Sequence, residues 1–155
     1  MAVTAAGRVR TVPGTAAIAA LILVLAFGNP AYVDWVSKHA SPNAWGFFLK
    51  ELAWPTWTFS STASVQDVLG QDIRAILVVV LAAVFVALLV GAARGAFLAG
   101  WAGYIFAGAF AGFLSAFILS HASVLSAFGC AVSGSAYGLF TGWIVGLFVL
   151  GARRV

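Results

Sequence analysis

Long apolar runs, separated by short polar breaks, lay out the plan of this chain. A membrane-spanning helix takes about 20 mostly apolar residues. The first run, "VPGTAAIAALILVLAFG", covers Val12 to Gly28 without a charge. Asn29-Pro30 closes it, because proline cannot continue a helix interior and pushes the residue before it out of the helical region. A second run extends from Ala75 to about Ala92, between Arg74 and Arg94. From Gly95 to Gly151 there is no Asp, Glu, Lys or Arg in 57 residues. That length is too great for one crossing and comfortable for two. The polar cluster "SHAS", Ser120 to Ser123, divides it into Ala96–Leu119 and Val124–Leu150. The pattern predicts an all-α polytopic membrane protein with four transmembrane helices, forming one membrane domain over residues 1–155.

Composition agrees with lipid as the solvent. Of 155 residues, 63% are hydrophobic and 8% charged, against about 25% charged in soluble domains. The net charge of +4 is scattered in ones and twos, so no basic patch for nucleic acid forms. Cys130 stands alone, which excludes an internal disulfide and leaves no cysteine-based metal site. The six arginines against two lysines, with abundant Ala, Gly and Val, suit a GC-rich bacterial genome.

Lys and Arg bias sets orientation. With both termini cytoplasmic, residues 1–11, the 92–95 turn and residues 151–155 carry Arg8, Arg10, Arg94, Arg153 and Arg154 and no acid. All four acids, Asp34, Glu51, Asp67 and Asp72, then lie outside, in residues 29–74. This points to the cell membrane and an even number of crossings. The competing reading makes the first run a cleaved signal peptide: Arg8 and Arg10 precede an apolar core that ends in small residues.

The extracytoplasmic segment, residues 29–74, is rich in aromatics. It holds Trp35, Trp45, Trp54 and Trp57, with Tyr32, Phe47, Phe48 and Phe59. Two short helices are expected, in "AYVDWVSKHA" and "NAWGFFLKELAW", and a third leading into the second crossing. Trp and Tyr favour the headgroup depth of a bilayer, so the segment is expected to lie on the outer leaflet. An aromatic surface for a partner is the other reading.

The stretch "GSAYGLFTGWIVG" places Gly134, Gly138, Gly142 and Gly146 four apart. On a helical wheel these fall within an arc of about 120°, with Trp143, Leu147, Phe140, Ile144 and Tyr137 on the other side. In lipid, small residues let backbones approach where hydrophobic drive is weak. The third run carries matching rows: Ala99, Gly103, Ala107, Ala111 and Ser115, and beside it Gly100, Gly108, Gly112 and Ala116, interrupted by Tyr104. The short turn between these runs predicts antiparallel neighbours packed through these rows. The fourth helix is expected intact, its serines bonded back to the preceding turn; a break near Ser133–Ser135 is the alternative.

Chemistry is sparse. No charge lies inside the four runs, and Asp72 with Arg74 reads as a pair of interface anchors. His121 and His39 are far apart in sequence. "NPA" at Asn29 is a single copy, "AVSG" at Ala131 lacks a following His, and "GAARG" at Gly91 lacks the Lys-Ser/Thr of a phosphate loop. The expectation is a non-enzymatic helix-packing component without cofactor, catalytic residue or metal, whose partners are the bilayer and either another copy or another membrane protein. The alternative is a channel or transporter for a neutral or apolar solute, its polar line drawn from Ser115, Ser126, Ser133, Ser135 and Thr141.

Overall fold

The computed structural model describes residues 2–57, 64–91, 95–118 and 123–154, the helix ends 2–11 and 153–154 by backbone alone. All regular structure among them is helical: α1 Ala2–Phe27, α2 Pro30–His39, α3 Ala44–Leu52, α4 Val65–Leu89, α5 Ala96–Ala116 and α6 Val124–Arg154. Phe59, Arg94 and His121 with most of the "SHAS" turn lie outside the described residues, as do the side chains of Arg8, Arg10, Arg153 and Arg154.

Helices α4, α5 and residues Val124–Ala152 of α6 are each long and apolar enough to cross a membrane. The segments Val12–Phe27 and Pro30–His39 meet that test only together, across a 59° bend, so the described residues hold three candidate spans, and a fourth if the bent pair is one. The bend sits where the sequence puts it. Asn29 caps α2 by accepting from the Tyr32 amide at 2.9 Å, while its Nδ2 donates to the Ala26 carbonyl at 2.7 Å. One side chain thus closes α1 and opens α2. Residues 54–57 clip the elbow: the Trp57 amide donates to the Gly28 carbonyl at 3.0 Å. Trp57 Nε1 reaches the Val24 carbonyl at 3.2 Å. Gly28 lies hard against the Pro55 carbonyl, with no room for a Cβ.

Three helices are longer than the apolar runs: α1 begins at Ala2, ahead of Val12, α6 reaches Arg154, and α4 starts well before Ala75. Ser64, whose side chain accepts from the Asp67 amide at 3.1 Å, caps α4, which starts at Val65, ahead of Ala75. The polar turns expected to form a separate short helix are therefore the first turns of α4, and Asp67, Asp72 and Arg74 belong to it. α6 runs unbroken, and Ser133 and Ser135 donate to the Gly129 and Ala131 carbonyls at 3.2 and 2.9 Å.

α5 and α6 run antiparallel along their whole lengths, Gly112 against Cys130, Gly108 against Gly134 and Gly100 against Gly146. α4 lies on the other side of α5, with Val86 against Gly103 and Phe85 between Phe106 and Phe110. α1 covers α4 and α6. The buried core is correspondingly fine-grained: Ala16, Ala20, Val78, Ala82, Val86, Ala107, Ala111, Val145 and Val149 are sealed, and the largest side chains sealed with them among the described residues are Tyr104 and Tyr137.

Candidate functional site

The glycine row of α6 is buried at every step. A Cβ at Gly138 would stand 2.5 Å from Ile105 Cα, and one at Gly142 or Gly146 would stand 2.9 Å from Trp101 or Phe97. At Gly108 and Gly134 the backbones of α5 and α6 touch, and each glycine meets the carbonyl of the other. Such separations are open only to residues without side chains. The two rows of α5 serve two neighbours. Gly100, Gly108 and Gly112 face α6, while Gly103 faces α4. Ala107 and Ala111, of the same row as Gly103, are fully buried. The bulk lies outward, with Phe140, Trp143 and Leu147 exposed. Tyr137 departs from the wheel and is buried.

Tyr137 opens the polar part of the site. It meets Tyr104 at the point where that residue interrupts the small row of α5, and the two hydroxyls are 2.7 Å apart. The indole of Trp54 stacks on Tyr137, with centroids 5.3 Å apart and planes 24° apart. The guanidinium carbon of Arg74 lies 5.1 Å from the centroid of the same indole. Arg74 Nε donates to Ser115 Oγ at 3.1 Å, and Ser115, fully buried, donates onward to the Gly112 carbonyl at 3.1 Å. A continuous column of polar and aromatic groups thus links α4, α5, α6 and the stretch after α3.

Local sequence explains the placement. Arg74 is on the row Gly70–Arg74–Val78 of α4, whose two flanking members are buried, so the helix face turns it inward. Asp72, two residues away, is displaced by about 200° and lines the opposite side of α4. Their two-residue spacing already predicts that Asp72 and Arg74 do not share a face; reading both as interface anchors missed that Arg74 turns into the bundle. The signal was present: apolar or glycine neighbours four residues on either side of Arg74, and a tyrosine set in a row of glycines and alanines.

The four aromatic-surface candidates divide. Trp35 is exposed and stacks on His39, and Trp45 is exposed and stacks on Phe48. Trp54 and Trp57 turn inward, onto Tyr137 and α1. The five hydroxyls differ in burial. Ser115 and Thr141 are buried, Ser126 and Ser135 half-buried, and Ser133 exposed. Each donates to a carbonyl of its own chain three or four residues back. Among the described residues no three His, Cys, Asp or Glu side chains converge on a metal-sized site.

A second feature is a groove of about 490 Å³ between α1 and α4, lined by Leu21, Leu25, Ile76, Val79 and Val80, with Trp57 and Asp72 also on its wall. No family model, curated protein or solved structure matches the chain.

Proposed function

We propose that the chain is a non-enzymatic component of a cell membrane, crossing it four times with both termini cytoplasmic, and that it works by packing against a second membrane protein or another copy of itself. The observation that carries this reading is the contrast between its two sides. α5 and α6 are pressed backbone to backbone at Gly108, Gly112 and Gly134, and these glycines are occupied within the chain. α1 and α4 instead leave an apolar groove open between Leu21–Leu25 and Asp72–Val80. Ile76 and Leu25 on its walls are more than half exposed. A helix of a partner fits such a groove in lipid, where association depends on shape rather than on hydrophobic drive.

Purification in mild detergent, with the mass of the intact particle measured, tests the proposal. A dimer, a higher oligomer or a stoichiometric companion protein is the expected result. Val79→Trp, which fills the groove from α4, is expected to release a monomer of undiminished thermal stability. A wild-type protein that is monomeric and unaccompanied would overturn the reading.

A further inference from the structure

Arg74 is a charged side chain held on an inward row of a membrane-crossing helix, where ionisable groups are costly and mark functional positions. None of the four carboxylates of the chain pairs with it: the ion pair formed among the described residues is Lys38 with Asp34 at 2.7 Å. Ser115 satisfies Nε, and Trp54 covers the guanidinium near its ring. A guanidinium has five N–H donors, so both Nη groups remain without an acceptor among the described residues. Neither is sealed, since the one buried side-chain polar atom lacking a partner is Glu51 Oε2. The donor fork is therefore positioned on one edge and reachable on the other. Its level is that of Ser115, in the last turn of α5, where a membrane-spanning helix meets the headgroup layer.

We propose that Arg74, positioned by Ser115 and Trp54, binds a phosphate-type oxyanion, delivered as the headgroup of an anionic lipid. The planar fork matches two oxygens of a phosphate at once, and basic pockets between spanning helices hold acidic headgroups for this reason. The anion supplies the counter-charge that the chain does not, and the acyl chains remain in the bilayer along the helix faces. This inference needs only the membrane setting and does not depend on the assembly proposed above.

The test uses the full chain in a neutral detergent, with phosphatidylglycerol, diacylglycerol or inorganic phosphate added, and reads the unfolding midpoint and the bound lipid by native mass measurement. Phosphatidylglycerol is expected to raise the midpoint and remain bound, and diacylglycerol to do neither. Arg74→Gln should weaken binding about tenfold or more, the loss of a charge-assisted contact. Lys50→Gln, which removes an exposed charge on α3, should leave it unchanged. Inorganic phosphate alone raising the midpoint in an Arg74-dependent way would keep the oxyanion site and overturn the lipid source. Equal phosphatidylglycerol binding by wild type and Arg74→Gln, equal losses in Arg74→Gln and Lys50→Gln, or no effect of either anion, overturns the site. Should Arg74→Gln fail to fold, Arg74→Lys retains the charge without the fork and must bind several-fold more weakly; undiminished binding overturns the proposal.

Discussion

The hydroxyls of Tyr104 and Tyr137 meet at 2.7 Å in the middle of the α5–α6 interface, the two largest side chains sealed within it. Elsewhere these helices meet through their glycines, through the Phe113–Phe128 rings and through the Trp101 indole, which donates to the Leu139 carbonyl; the two tyrosine hydroxyls satisfy each other. A buried hydroxyl without a partner costs about 1–3 kcal/mol. Tyr104→Phe and Tyr137→Phe should each lower stability by about 1 kcal/mol, and the double variant by less than the sum, with a coupling of about 0.6 kcal/mol or more. Reversible unfolding in mixed micelles measures the cycle. Strict additivity would mean that the pair does not interact.

Glycines on the same helix should respond oppositely. Gly138→Leu drives a side chain into the Ile105 backbone, and a loss of about 3 kcal/mol or more is expected from overpacking that cannot relax. Gly129→Ala, on an exposed face with nothing within 4 Å of the added methyl, should be neutral or stabilise by up to about 1 kcal/mol through helix propensity. Thermal unfolding of the two variants side by side checks this. A Gly138→Leu protein as stable as wild type would contradict the close approach of α5 and α6.

Glu51 predicts a pH dependence. It is half-buried in α3, and burial raises its carboxyl above the ordinary carboxylate range. The folded state then holds a proton that the unfolded chain has released. The stabilisation is complete below the unfolded value and is lost as pH rises through the raised folded one. Glu51→Gln should flatten the stability profile across the acidic range and raise stability at neutral pH. Unfolding midpoints from pH 4 to pH 8 read the difference, and parallel profiles for the two proteins would refute it.

Trp54 joins two contacts, its stack on Tyr137 and its face toward Arg74. Stacking adds about 0.5–1.5 kcal/mol beyond area, and a partly desolvated cation–π contact up to about 2 kcal/mol. Trp54→Leu should therefore destabilise by more than Trp45→Leu, since Trp45 is exposed and touches only Phe48 among the aromatic rings. Equal midpoints for the two variants would place Trp54 outside the core.

The long apolar runs show in the sequence because their periodicity and lack of charge are local properties. So are the stop at Asn29-Pro30, the continuity of α6 through Ser133 and Ser135, and the small rows of α5 and α6. The start of α4 was less legible. Ser64 caps the helix, but the polar residues after it look like a surface turn until the partner faces of α5 and α6 are known. The inward turn of Arg74 was half legible: Gly70 and Val78 mark its row, but not what that row meets. A row of four-spaced positions tells which residues share a face, not which neighbour that face meets.

The sequence by itself determined the helices and pointed to lipid as their solvent: a chain with 8% charged residues and apolar runs of this length satisfies its backbone internally, and helices do that residue by residue. It also determined where backbones could come close, because glycine and alanine carry nothing to hold them apart. Only the tertiary structure decided which rows met and what lay between them. It set Gly100, Gly108 and Gly112 on α6 and Gly103 on α4, closed Tyr104 on Tyr137, and brought Trp54, Arg74 and Ser115 into one column from three separate parts of the chain. Those outcomes depend on shape matching between faces remote in sequence, and local spacing carries no record of them.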